Sequence, residues 1–262
     1  MSESKGEPMA APSPHDIHRV IREEGEEQLN RHAGAVAWSG LAAGLSMGFS
    51  FLVMALLAAR LPEDADWAVL VDSFGYTLGF LIVILGRQQL FTESTLTPVL
   101  PVLSDFSVAK LGKLFRFWGV VLGTNLIGTW LFAYAIAHES LFTPAVWHAL
   151  QTISAEAVQE PFVNTLFKAV LAGWLIALMV WLLPSAGPAK ILIIVTVTYV
   201  VAIGRFSHSI AGSVEAAYAV LAGSHGMGDY FFTFLIPTVL GNTIGGVALT
   251  AMLNHAPLAT EA

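Results

Sequence analysis

Cysteine is absent from the 262 residues, which excludes disulfides, thiolate catalysis and thiolate metal sites. Charge is scarce as well. Lys, Arg, Asp and Glu make up 12% of the chain, about half the share in an ordinary soluble domain. The opening segment "MSESKGEPMAAPSPHDIHRVIREEGEEQLNRHAG" is polar and acidic and has no apolar centre, so it does not read as a secretory signal. No phosphate-binding loop, metal-ligand cluster or nucleophile elbow is recognisable. That argues against an enzyme and against ATP-driven transport by this chain, and no cofactor, metal or nucleic-acid partner is expected.

Apolar sequence is what the chain has in abundance. Hydrophobic residues account for 55% and the mean hydropathy is +0.69, which places the chain among integral membrane proteins. A helical span needs about 20 apolar residues. Six candidates occur, at residues 34–59, 67–85, 115–137, 162–183, 191–203 and 230–253. The second continues past a polar stretch through "TLTPVLPVL", and the fifth through "IAGSVEAAYAVLAG". None of the runs alternates in polarity as a barrel strand does, and helices are the other way to satisfy backbone groups in lipid. The expected organisation is a cytoplasmic segment at residues 1–33, a six-span domain at 34–254 and a cytoplasmic tail at 255–262.

Basic residues set the expected orientation. Lys5, Arg19, Arg22 and Arg31 precede the first span, Lys110, Lys113 and Arg116 follow the second, and Lys190 follows the fourth. The opposite loops carry Glu63, Asp64 and Asp66, then Glu139, Glu156 and Glu160. The positive-inside rule puts both termini in the cytoplasm of a multi-pass inner-membrane protein. Residues 14–31 read as a helix on the membrane surface, capped by Ser13 and started by Pro14, with Ile17, Val20, Ile21 and Leu29 as a partial apolar stripe.

Two polar stretches interrupt apolar runs, "GRQQLFTEST" from Gly86 and "GRFSHSIAGSVE" from Gly204. Both begin Gly-Arg. The interval from Gly86 to Gly123 in "LGTNLIG" equals that from Gly204 to Gly241 in "LGNTIGG". The same order at the same spacing indicates two copies of a three-span unit. An odd number of spans inverts the second copy, as in many transporters, where paired broken helices meet near the midplane and form the path. A polar break at that depth is tolerated only where it is buried in protein or lines water.

"LFTEST", "HSIAGS", "GWLIALMVW" and "GNTIGG" together resemble the formate/nitrite transporter family over residues 30–254, and "RQQLFTE", "GWLIALMVW" and "GSVE" resemble more narrowly its YfdC-like branch. The resemblance implies an all-α, aquaporin-like six-helix bundle of two inverted three-span repeats with broken second and fifth spans. It implies a homopentamer with one anion path per protomer. It also implies that His208 is the central histidine, that Thr92 faces it, that Tyr76, Phe80, Leu90, Phe91 and Val201 form apolar constrictions, and that Asn242 is the asparagine of the sixth span. Ser207 and Ser209 flank the histidine and join the expected path. The family usually runs Gly-Phe-Glu-His-Ser-Ile-Ala-Asn here. This chain runs Arg205-Phe206-Ser207-His208-Ser209-Ile210-Ala211-Gly212, and Gly173 replaces a fourth-span asparagine. The family's outer lysine aligns near Ala157.

The chemistry fits a small weak-acid anion. Removing such an ion from water costs much free energy, and a histidine that exchanges protons near neutral pH offsets part of that cost. An arginine at mid-membrane costs roughly 2.5–3.5 kcal/mol and needs a partner. Arg87 and Arg205 therefore either form structural ion pairs, with Glu93 and Glu215 as the in-span carboxylates, or attract anions. The expected function is a channel or proton-coupled transporter for a small monovalent anion, in contact with membrane lipid. Alternatives are a pore for a small neutral solute and a non-conducting scaffold or sensor.

Overall fold

A computed structural model describes residues 12–62 and 65–261; the expectations for Lys5, Glu63 and Asp64 fall outside these. The described residues form helices joined by turns and irregular stretches, with no strand among them. Among the described residues, five helices are long and apolar enough to cross a membrane.

Helix α1 covers Pro14–Asn30. Its start follows the sequence expectation: the Ser13 hydroxyl accepts from the Asp16 N–H at 3.2 Å, and the Asp16 carboxylate accepts from the Ser13 N–H at 3.2 Å. This reciprocal cap satisfies two donors that a helix start leaves over, and it holds the Asp16 carboxyl below its usual range. Ile21 and Leu29 are buried beneath the helix.

The first long span, α2, covers Ala33–Ala58. The second, α3, covers Ala68–Leu85, with a tight turn at Ser73–Tyr76. Beyond α3 the chain makes one 3₁₀ turn at Glu93–Thr95 and then a short helix, α4, at Leu100–Ser104. Helix α5 covers Val108–Ile136 and starts seven residues before the expected third span. Its early basic residues hold α1 down: Lys110 Nζ donates to Glu26 Oε1 at 2.8 Å, Lys113 Nζ to Asn30 Oδ1 at 2.7 Å, and Arg116 to the Leu29 carbonyl at 3.3 Å.

A thirteen-residue helix, α6, at Pro144–Glu156 occupies a stretch without a predicted element. Helix α7 covers Phe162–Leu182. Where the fifth span was expected, two shorter apolar helices stand, α8 at Lys190–Ile203 and α9 at Ala211–Leu221. The last long helix, α10, covers Asp229–Pro257, with wider π-type turns at Asp229–Leu235 and Gly245–Met252. Helical structure therefore extends into the expected 255–262 tail.

Two close helix contacts frame the centre. Helix α2 packs along α5, and α7 along the middle of α10. Glycine permits each approach. A β-carbon on Gly44 would lie 2.1 Å from the Asn125 carbonyl oxygen, and one on Gly173 would lie 2.3 Å from that of Asn242. Large apolar side chains such as Ile127, Leu131, Phe167 and Phe232 are exposed on the outside of the chain, where lipid or neighbouring protein replaces water.

Candidate functional site

Helices α3 and α8 end in the same way. Gly86 caps α3, and Arg87 turns into the left-handed region at φ 51°. The Arg87 N–H then reaches the Ile84 carbonyl at 3.2 Å, and the Gln88 N–H reaches that of Val83 at 2.9 Å. Gly204 caps α8, and Arg205 adopts φ 48°. The Arg205 N–H reaches Ala202 at 2.9 Å, and the Phe206 N–H reaches Val201 at 3.0 Å. Such paired bonds satisfy the last carbonyls of a helix, and the left-handed residue is usually glycine. Here both are arginine, the only non-glycine residues with positive φ among those described.

An asparagine braces each non-helical stretch. Asn125 Oδ1 accepts from the Phe91 N–H at 3.0 Å, and its Nδ2 donates to the carbonyls of Gly40 at 2.7 Å and Gln89 at 2.9 Å. Asn242 Oδ1 accepts from the Ser209 N–H at 2.8 Å, and its Nδ2 donates to Ala169 at 2.8 Å and Ser207 at 3.0 Å. Each amide replaces the helical bonds its stretch has lost. Asn242, expected along the path, has its whole amide engaged with backbone. Asn125 was not singled out in the sequence, although "LGTNLIG" contains it. The glycine intervals pointed to the right pair of helices, but the two asparagines match one register step away from them.

The two stretches meet at Thr92 and His208. Thr92 Oγ1 and His208 Nε2 are 2.7 Å apart, and both residues are buried. The Ile210 and Ala211 N–H groups donate to His208 Nδ1 at 3.2 and 3.1 Å. Nδ1 is therefore the bare nitrogen of a neutral ring, and Nε2 carries the hydrogen. Nε2–H donates to the Thr92 hydroxyl oxygen, which keeps its own hydrogen to give. The Phe80 ring meets the imidazole edge-on, with centroids 5.0 Å apart, and Tyr76 packs against Phe80 at 5.2 Å. Phe80, Leu90, Phe91 and Val201 are all buried. An apolar layer thus encloses the Thr92–His208 contact.

Two cavities that share no lining residue adjoin these stretches. One, of about 470 Å³, is lined by Tyr76, Val201, Arg205, Ser207, His208 and Glu215 together with Glu156 of α6 and Lys168 of α7. The other, of about 630 Å³, is lined by Glu24 of α1 and by Arg87, Gln88, Gln89, Glu93 and Ser94. Each non-helical stretch lines a different cavity. Ser209 is buried, and its hydroxyl has no hydrogen-bond partner.

The ion pairs differ from expectation. Neither arginine pairs with Glu93 or Glu215. Arg87 pairs with Glu24 at 3.7 Å, and Arg205 pairs with Glu156. The arginine side chains are 82% and 57% exposed, so their charged ends reach the cavities and incur little of the burial cost that an in-span partner would offset. Lys168 also has a carboxylate partner. Its Nζ donates to Glu160 at 2.6 Å, which holds the Glu160 carboxyl below its usual range.

Comparison with known proteins bears on this arrangement. A family model described as formate/nitrite transporter matches residues 15–256. The chain is 40% identical over 245 residues to the inner membrane protein YfdC of Escherichia coli, covering 94% of this chain and 79% of that protein. Among solved structures, an FNT family ion channel superposes with a TM-score of 0.78 at 20% identity, over 93% of this chain and 99% of that one. A pentameric formate channel with formate bound superposes with a TM-score of 0.71 at 19% identity, over 87% and 98%.

Proposed function

Because the chain belongs to the formate/nitrite transporter family, we propose that it moves a small monovalent weak-acid anion across the cytoplasmic membrane, as a channel or proton-coupled transporter. The observation that carries this reading is the Thr92–His208 contact in an apolar layer, with two cavities adjoining the stretches that make it. An anion crossing that layer loses its water at large cost. The Thr92 hydroxyl, polarised by His208 Nε2–H, offers it a donor at the driest point. An anion that takes a proton from hydronium in the cavity water becomes a neutral acid and crosses the layer at far smaller cost. The anion's oxygen gains the proton and water is left behind, while the neutral ring, its Nδ1 occupied by two backbone N–H groups, orients the Thr92 hydroxyl.

The two copies read as inverted three-span repeats with broken second and fifth spans. Support comes from the matching bonds around Arg87 and Arg205 and around Asn125 and Asn242. Each protomer carries its own path in a homopentamer. A solved structural relative is a pentameric formate channel, and YfdC is an inner membrane protein. With both termini in the cytoplasm, the α1 cavity faces inward and the α6 cavity outward. Tyr76, Phe80 and Val201 then form the outer constriction, and Leu90 and Phe91 the inner one. Ser207 lines the outer approach, and Asn242 holds the backbone of Ser207 and Ser209 behind it.

A second reading is a pore for a small neutral solute. It is favoured by the neutral His208 tautomer, whose Nδ1 is occupied by two backbone donors. Uptake of formate, nitrite and small neutral solutes into proteoliposomes, with and without a pH gradient, separates the two. Anion flux that responds to the gradient supports the first reading. Flux of neutral solutes alone, indifferent to the gradient, supports the second.

A further inference from the structure

We propose that Arg87 and Arg205 are the anion-capture residues of the two mouths, each held in an exchangeable ion pair by a carboxylate from a neighbouring helix, Glu24 of α1 and Glu156 of α6. The inference rests on the transport reading and adds to it the residues that admit the anion and those that compete with it.

The backbone supplies the first argument. Both arginines occupy the left-handed position that closes a helix, at φ 51° and 48°. Glycine takes this conformation without a penalty, whereas a β-carbon is strained there. Helix termination alone therefore calls for glycine at both sites. An arginine at both has a use for its side chain.

Position supplies the second. Arg205 lines one cavity and Arg87 the other, and the two cavities share no lining residue. Arg205 lies three residues before His208, at the start of the same non-helical stretch. The other cation at that mouth, Lys168, is held on Glu160 by a 2.6 Å hydrogen bond.

The partners supply the third. Glu24 and Glu156 come from helices beside the path, and they neutralise the arginines without entering the apolar layer. An ion pair this exposed contributes little stability, so an arriving anion displaces the carboxylate at small cost. The planar guanidinium fork matches a carboxylate or nitrite with two parallel hydrogen bonds. The glutamates thus set the anion concentration at which each mouth fills and reject weakly binding anions.

The test uses four variants of the full chain in membrane vesicles sorted by orientation, with formate and nitrite as probes. Glu156→Gln frees Arg205 and is expected to lower the half-saturating concentration from the α6 side by about two- to fivefold, the scale of an exposed ion pair. Arg205→Gly, which relaxes the backbone as it removes the guanidinium, is expected to raise that concentration by at least as much while the protein keeps its assembly and melts no lower. Glu24→Gln and Arg87→Gly do the same from the α1 side. If the wild type conducts and all four variants keep its half-saturation, the pairs are braces and the proposal is overturned. If the wild type conducts neither anion, the transport reading itself fails, and capture is read from iodide located by anomalous scattering in crystals. Iodide on the Arg205 guanidinium of Glu156→Gln, and not of the wild type, supports capture; no iodide there overturns it.

Discussion

Thr92 and His208 are separated by 116 positions in the chain and meet at 2.7 Å in its interior. Two stretches of non-helical backbone converge to make this contact, and each depends on an asparagine from another helix. The site is therefore only as firm as its braces.

Asn125→Ala and Asn242→Ala should each destabilise the protein severely. Each substitution leaves one backbone N–H and one non-helical carbonyl without their partner, those of Phe91 and Gln89 or of Ser209 and Ser207, at about 1–3 kcal/mol for each group left unsatisfied. Thermal unfolding in detergent is expected to show a large drop for both variants. A melting temperature within a degree or two of the wild type would contradict the bracing role.

Gly44→Ala and Gly173→Ala should also destabilise, by a different route. The new methyl would sit 2.1 or 2.3 Å from a backbone oxygen, and only movement of a whole helix relieves that. Overpacking of this kind costs about 1–3 kcal/mol. Gly112→Ala is the control, since a β-carbon there meets nothing within 4 Å. Equal melting for all three would contradict the close approach.

The contact between α1 and the end of α10 should weaken in acid. His18 Nε2 and His255 Nδ1 are 2.9 Å apart, and the His18 ring also meets Trp181. Burial, followed by His255, Arg22 and His15, holds the His18 pKa below its ordinary value of 6.5. The folded protein thus binds fewer protons there than the unfolded chain. The stability from this contact is full above the unfolded value and declines as the pH falls through it towards the lower folded value. Hydrogen exchange in α1 is expected to speed up between pH 8 and 5.5, beyond its intrinsic pH dependence, and less so in His18→Gln. Identical pH profiles for the two proteins would show that the histidine pair does not hold α1.

Much of this architecture was legible in the sequence. The apolar runs marked the long spans because lipid demands about 20 such residues in a row. Ser13 and Pro14 marked the start of α1 through local capping chemistry. The repeated Gly-Arg marked both helix ends, and the resemblance brought Thr92 and His208 forward as a pair. Helix α6 was not legible, since its thirteen residues are too short for a span signal. The partners of the arginines were not legible either. Their in-span position pointed to Glu93 and Glu215, whereas the ion pairs form with α1 and α6, whose placement depends on tertiary packing.

Formate and nitrite flux through wild-type and His208→Asn protein, compared across roughly pH 5 to 8, tests the central claim most directly. The account predicts wild-type flux that changes with pH over this range. It predicts a His208→Asn protein that stays assembled and moves the anion more slowly at every pH, since the Nε2–H that orients the Thr92 hydroxyl is gone. A folded His208→Asn protein moving the same anion at the same rate over the whole range would contradict it.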